Sequence, residues 1–320
     1  MKVNVATIFD KNYIVRTLAF YNALLNTRAD LHFWFLCLDQ ETKDIMSELK
    51  LPNTSLVSIP EIKDAELEAT RSNRSVAEFA FTTKSAFVKF IADKLPDGEN
   101  LIFADNDVIY FQSPEGLFGK MRANSQTIGI SPHHFPPSKI EMNEKVGKYN
   151  AGLLYFILDS NSRQCIDDWR KDCIEWCYLI YEKERFGDQK YIMKWPTRYR
   201  GVYEITEKGI NTGSWNINNW VISKDKNGNF YIDKDPLICY HFHRIKFYID
   251  GDQIKPLPIY VFRQDLYKIY SDLLEAGWKR MVALKGGWVY GFIDKPILAR
   301  LIKQKITVFI RNLKGVAIEE

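Results

Sequence analysis

VNVATIF, residues 3–9, opens a run in which NYIVRTLAFYNALL (12–25), LHFWFLCL (31–38), ETKDIMSEL (41–49) and SLVSI (55–59) follow in turn. The first, third and fifth segments are short and rich in β-branched and aromatic residues, and read as buried strands. The second places apolar side chains at 14, 15, 18, 21, 24 and 25, a helical period, and residues 41–49 read as a second helix. Strand, helix, strand, helix, strand is the βαβ alternation of a parallel sheet with helices on its faces, so the fold class is α/β.

Outward from this run, residues 60–80 are polar and charged and read as a mobile loop or an irregular helix. Helical periodicity returns over Thr82–Leu95 and stops at Pro96-Asp97-Gly98. Leu101–Ala104 is an apolar strand leading into Asp105-Asn106-Asp107. Further strands are expected at 127–131, 152–158 and 236–242, with helices at 162–182 and 187–194. Asn227-Gly228, between VIS and FYI, reads as a hairpin turn. There is no repeat, low-complexity segment or clear linker before about residue 260. The expected organisation is one α/β domain over 1–260 and a helical, basic, amphipathic extension over 261–320.

The 320 residues suit one large α/β domain or two small ones. At 46% hydrophobic and 26% charged, with mean hydropathy −0.27, the chain excludes disorder, collagen-like repeats and a polytopic membrane protein. Lys plus Arg is 44 and Asp plus Glu is 40, a net charge of +4 that gives no argument for nucleic acid. The aromatic share of 14% is first of all core material. Five cysteines, an odd number, argue against a disulfide framework. MKVNVATIFD carries no charged leader with an apolar core behind it, and no run of about 20 apolar residues follows anywhere, so a cytoplasmic location is expected.

The sharpest chemical feature is LIFADNDVIYF, 101–111. An apolar strand delivers Asp105 and Asp107 two positions apart, and extended geometry would turn both to one side. They fall at the carboxyl end of a central strand, where open α/β sheets bind ligands. Two carboxylates there need a positive partner, and oxygen ligands suit Mg2+ or Mn2+. The alternatives are a calcium loop or a strand-ending turn, and the EF-hand type fails because Tyr110 stands at its glycine position. His241 ends the apolar run 237–240 and could complete the site, or be a hydrogen-bonded core residue. Lys246 would bring a cation near an anionic ligand, or be a solvated lysine. Asn150 and Gly152 meet a strand start, where an amide can serve sugar hydroxyls and Gly admits close approach, although a plain turn gives the same pattern. Asp188-Gln189 follows Gly187 and could line a site or cap a helix. Asp10-Lys11-Asn12-Tyr13 could read a nucleobase or be a cap and turn.

In this order, DKNY (10–13), Lys84, DND (105–107), NAG (150–152), DQ (188–189) and H-F-x-x-x-K (241–246) resemble a GT-A glycosyltransferase, most nearly the family 8-like nucleotide-sugar transferases. The resemblance spans about 240 residues. It implies a GT-A, Rossmann-like mixed central sheet flanked by helices. It implies a nucleotide-sugar donor, a UDP-sugar, and a glycan or lipid-linked acceptor in surface polysaccharide or lipopolysaccharide synthesis, with retention at the anomeric carbon. Thr7, Phe9, Asp10, Asn12, Tyr13, Lys84, Asn106, Gly152 and Lys246 would then bind the donor. Asp105, Asp107 and His241 would hold Mn2+, with Mg2+ as the substitute. Asp188, Gln189 and Asn150 would line the donor-sugar and acceptor pocket and act in catalysis. Two departures stand out: Asn106 occupies a position where relatives often carry a small residue, and Arg244 replaces the Gly of the family's H-x-x-G-x-x-K. His243 leaves the identity of the histidine ligand open, with His241 preferred.

Residues 295–314 contain six basic residues and no acid, and Leu298, Ile302, Ile306, Phe309 and Leu313 share a helical face, with Lys305 falling within it. Such a helix suits peripheral contact with the inner face of the cell membrane, or docking on the catalytic domain or on a second copy in a homo-oligomer. The rival functions are a nucleotidyltransferase, which commonly has a Gly-rich basic loop where this chain has DKNY, and a non-catalytic nucleotide- or sugar-binding protein. Zinc held by Cys165, Cys173 and Cys177 is set aside in favour of core packing.

Overall fold

The computed structural model of the chain describes residues 2–260 and 263–314. The opening alternation forms as read: β1 (Val3–Phe9), α1 (Ile14–Asn26), β2 (Leu31–Cys37), α2 (Gln40–Glu48) and β3 (Thr54–Ser58). Carboxylates start its helical segments. Asp10 accepts from the Asn12 amide at 2.9 Å ahead of the single turn leading into α1, and Asp39 accepts from the Thr42 amide at 2.7 Å ahead of α2.

Residues 59–73 take the irregular-helix option, with α3 (Ile59–Ile62), α4 (Ala65–Thr70) and one further turn at 71–73. α5 (Val76–Lys94) begins six residues before the predicted Thr82. The cause is a capping box: the Glu78 carboxylate accepts from the Ser75 amide at 2.9 Å, and Ser75-x-x-Glu78 is legible in the sequence. Then come β4 (Asn100–Ala104), β5 (Val108–Tyr110), α6 (Glu115–Ala123), β6 (Ile128–Pro132), α7 (Met142–Val146), β7 (Tyr149–Ile157) and α8 (Ser160–Glu175). α8 stops seven residues short of the predicted 182. Past Trp176 the chain folds back to hydrogen-bond elsewhere, the Leu179 amide donating to Glu78 at 2.8 Å. The expected helix at 187–194 is a 3-10 turn over Lys190–Lys194 running into α9 (Trp195–Arg198), with no side-chain cap.

The remainder is β8 (Val202–Glu204), β9 (Thr212–Gly213), β10 (Ile222–Lys224), β11 (Phe230–Ile232), β12 (Asp235–Pro236), β13 (Cys239–His241), β14 (Phe247–Asp250), β15 (Gln253–Pro256), α10 (Gln264–Lys285) and α11 (Leu298–Lys314). The predicted strand 236–242 is two strands, because β12 pairs with β11 while β13 pairs with β5 and β9 in another sheet. The hairpin at Asn227-Gly228 is present between β10 and β11, with Gly228 at φ +88°.

The main sheet has the order β3-β2-β1-β4-β7-β6-β8. β1 to β4 are parallel, and β7 runs antiparallel between β4 and β6. This is the mixed central sheet flanked by helices. Its two faces carry separate cores, one with Leu18, Phe20 and Tyr155, the other with Phe87, Phe103 and Trp169. α10 lies on α1, and its Leu266, Tyr270, Leu274 and Met281 enter the first of these cores. The chain then returns across the DKNY loop. Lys11 stands 4.6 Å over the Tyr290 ring, and the Ile293 amide donates to Phe247 at 2.9 Å. On α11, Leu298, Ile302, Ile306 and Phe309 are exposed. The side chains of Arg311, Leu313 and Lys314, and residues 315–320, lie outside the described residues. Among the described residues no helix is long and apolar enough to cross a membrane.

Candidate active site

β4 ends at Ala104, and the next three residues form a turn closed by the Val108 amide donating to the Asp105 carbonyl at 3.0 Å. The extended geometry expected for Asp105-Asn106-Asp107 is therefore corrected to a turn. Its cause is topological: β4 pairs with β7 in the main sheet and β5 pairs with β13 in a smaller one, so the chain must change sheets between them. Because of that turn the two carboxylates acquire different partners.

Asp105 faces α5. Its Oδ1 lies 2.9 Å from Lys84 Nζ, and the same ammonium is 3.4 Å from Asp188 Oδ2. Lys84 and Asp188 are both buried, and Asp188 Oδ2 has no hydrogen bond of good geometry. Burial disfavours the Lys84 charge, but the two carboxylates outweigh it and raise its pKa. Burial raises the pKa of Asp188, with Lys84 acting against it and Asp105 adding to it. Asp188 is thus the second carboxylate of an ion triplet and does not cap a helix.

Asp107 faces β13. Its Oδ1 lies 3.0 Å from His241 Nε2, and the Phe242 amide donates to its backbone carbonyl at 2.8 Å. His241 is buried opposite Val108, and its Nδ1 pairs with Asn211 Oδ1 at 3.2 Å. That contact suits Nδ1–H as donor, which leaves Nε2 as the ligand nitrogen. Burial opposes charging of His241, but Asp107 outweighs it and raises the pKa. The reciprocal attraction lowers Asp107 against its own burial. The ligand atoms of Asp107, His241 and His243 lie within 4.8 Å of one another.

The two sides meet over Gly152. A Cβ added there would stand 2.6 Å from Asn150 Oδ1, 2.7 Å from Asp105 Oδ2 and 2.9 Å from His241 Cε1. Only glycine leaves that spot open. The pairing of β6 with β7 breaks register between Ile130 and Ser131, beside Asn150 and Gly152. Asn150 is oriented at both ends: its Oδ1 accepts from the Gly152 amide at 2.7 Å and its Nδ2 lies 3.1 Å from His133 Nε2. His133 Nδ1 in turn reaches the Gly147 carbonyl at 3.1 Å. Burial pushes the His133 pKa down to about 3, so the ring is neutral. Gln189 donates to the Val146 carbonyl at 2.7 Å, tying the 187–190 turn to α7.

The remaining predicted residues fall at varied distances from this centre. Tyr13 is half exposed and senses Asp107, Asp10 and Asp105 electrostatically, which places the DKNY loop beside the carboxylates. Asp10 spends its carboxylate on the Asn12 backbone and side-chain amides at 2.9 and 3.3 Å. Thr7 and Phe9 are core residues, Phe9 packing on Phe35. Asn106 is buried and its amide donates to Thr17 at 3.4 Å, facing α1. Lys246 is exposed beyond β13. Arg244 sits at φ +57°, the left-handed conformation that a glycine adopts without strain. The bulkier residue therefore keeps the backbone turn expected of a Gly.

Several contributors were not found from sequence. Asn211, at φ +58°, orients His241. Trp215 stands edge-on to His241 at 5.1 Å, and its indole N–H donates to the His133 carbonyl at 2.8 Å. Arg16 donates to the Ile245 carbonyl at 2.8 Å and pins the segment after His243 to α1. The contact of Asn211 with His241 is set by β9 pairing with β13. The Asp107 carboxylate and the ring nitrogens of His241 and His243 form a donor set that can hold a divalent cation.

The acidic turn lies at the carboxyl end of β4 in the mixed sheet, where open α/β sheets bind ligands. The family model for glycosyl transferase family 8 matches residues 4–195, so the chain belongs to that family and is a glycosyltransferase. The matched stretch ends before His241. YfnD of Bacillus subtilis (strain 168), an uncharacterized protein, is 30% identical over 239 residues, covering 74% of this chain and 76% of its own. YfnF of the same organism, also uncharacterized, is 27% identical over 241 residues, covering 74% and 79%. The crystal structure of the galactosyltransferase LgtC in complex with donor and acceptor sugar analogs superposes with a TM-score of 0.53 at 13% identity, covering 86% of this chain and 96% of that one. This likeness shows a shared GT-A fold.

Proposed function

We propose that the protein transfers a hexose from a nucleotide-diphosphate sugar, a UDP-sugar, to a glycan or lipid-linked acceptor, with Mn2+ as cofactor and Mg2+ as its substitute. The observation that carries this reading is the meeting of Asp105, Asn150 and His241 over the spot that Gly152 leaves open, with Asp107 3.0 Å from the His241 ring. A divalent cation held there supplies Lewis-acid neutralisation of the charge that develops on the leaving diphosphate. Asp107 and His241 hold it, and Asp105 contributes the oxygen not engaged by Lys84. Asp10, Asn12 and Tyr13 receive the base and ribose, with Thr7 and Phe9 contributing backbone at the end of β1 and Asn106 supporting the turn from below. Lys246 reaches the phosphates, and Lys84 holds Asp105 and Asp188 in place beside the donor. Asn150, fixed by His133 and the Gly152 amide, takes sugar hydroxyls. Asp188 and Gln189 face the oxocarbenium-like sugar as its bond to the leaving group breaks, with retention as the outcome.

Residues 1–260 are the catalytic domain in this reading. The 261–320 extension gives peripheral contact with the inner face of the cell membrane through the exposed apolar residues of α11, for surface polysaccharide or lipopolysaccharide synthesis in the cytoplasm. The test is donor hydrolysis with a panel of nucleotide sugars, with and without Mn2+. Nucleotide release from one UDP-sugar only with metal supports the reading. Failure of every nucleotide sugar to bind in calorimetry overturns it.

A further inference from the structure

The fold delivers His243 and His241 to one place. Phe242, between them, is buried with its ring 4.3 Å from Tyr270, and the His241 and His243 rings lie together, their centroids 5.6 Å apart. Asp107 meets them from the start of β5, and the ligand atoms of the three residues lie within 4.8 Å of one another. Ligand atoms about 2.1–2.2 Å from one ion lie no more than roughly 4.4 Å apart, so adjustments of a few tenths of an ångström suffice. Trp215 stands edge-on to both rings, at 5.1 and 5.8 Å, and restricts their rotation. The left-handed turn at Arg244 directly follows His243. Asp105, by contrast, has one oxygen committed to Lys84.

We propose that His243 is a further protein ligand of the cation, so that two imidazoles and the Asp107 carboxylate form the core of the site. This rests on the cation-dependent reading above. Its consequence is selectivity: imidazole nitrogen favours Co2+ and, less strongly, Mn2+ over Mg2+, which prefers oxygen and water.

The experiment is titration of the full chain with Co2+ and with Mg2+ in the absence of nucleotide, followed by calorimetry and by the Co2+ visible absorption. Wild type, His243→Ala, His243→Gln and Asp107→Ala are compared, each first checked for native circular dichroism. Wild type is expected to prefer Co2+. Both His243 variants should lose at least about tenfold in Co2+ affinity, the lower range for loss of a group supporting a metal site, and change less for Mg2+. Unchanged Co2+ affinity and spectrum in both His243 variants, with loss in Asp107→Ala, overturns the role of His243 and leaves the cation site standing. A wild-type chain that binds neither ion overturns this inference and the metal dependence together.

Discussion

Asp105 and Asp107 leave the same three-residue turn, and they enter two unlike environments. On the α5 side Asp105 shares a buried ammonium with Asp188, and the charges are arranged as a closed triplet. On the β13 side Asp107 meets an imidazole whose proton a cation can replace, with His243 beside it and exposed. A lysine cannot give up its place to a metal at neutral pH, whereas a histidine can. Two carboxylates in one short motif therefore divide the work: the Lys84 side fixes the turn, and the His241 side is available to a ligand.

That division can be broken from either side. The largest effect on stability is expected from Lys84→Met, which leaves Asp105 and Asp188 facing each other without a cation. A loss of about 3 kcal/mol in urea unfolding is predicted, as for a buried pair stripped of one partner. A change within a few tenths of a kcal/mol would show that the triplet does not hold the turn. Gly152→Ala comes next and acts on the spot between the two sides. Its Cβ would press on Asp105, Asn150 and His241 at under 3 Å, and a fall in kcat on the order of 100-fold is expected from misplacement of this size. Normal turnover in that variant would mean the open spot is not used.

A smaller effect sharpens the contrast through pH. Burial lowers His133 from 6.5 to about 3 in the folded chain. Between those values the unfolded chain binds a proton that the folded chain does not, so stability falls as pH is lowered through that window. The slope is at most about 1.4 kcal/mol per pH unit, or roughly 2 kcal/mol between pH 6.5 and 5. In His133→Gln that contribution should vanish, and an identical difference between unfolding curves at pH 7 and pH 5 would refute it. Smallest is Arg244→Gly. Relief of the left-handed strain less the added backbone entropy predicts a gain of about 0.5 kcal/mol in thermal or urea unfolding, and a destabilised variant would mean the Arg244 side chain contributes more than its strain costs.

The legible parts of this protein were those set by local pattern. The alternation from Val3 to Ser58 follows from residue periods alone, and its strands and helices lie within one or two residues of expectation. The apolar period of α5 becomes regular only at Thr82, whereas its start at Val76 is set by the Ser75-x-x-Glu78 cap. At the site, Asp105, Asp107 and His241 stand out in the sequence because carboxylates and an imidazole at strand ends are chemically conspicuous. What could not be read there is partnership. Nothing local says that Lys84 lies beneath Asp105, that Asn211 orients His241, or that His133 orients Asn150. Those contacts join segments 21, 30 and 17 residues apart, and only the pairing of sheets brings them together.

The most direct measurement of the division between the two carboxylates is Mn2+ binding in the presence of UDP, followed by loss of the free-ion electron paramagnetic resonance signal, for wild type and for Asp107→Asn. Asparagine keeps the shape of the side chain and removes its charge, so the fold is retained. One bound Mn2+ is expected in wild type, with at least a roughly tenfold weaker site in the variant. Equal binding by the two proteins would contradict that division.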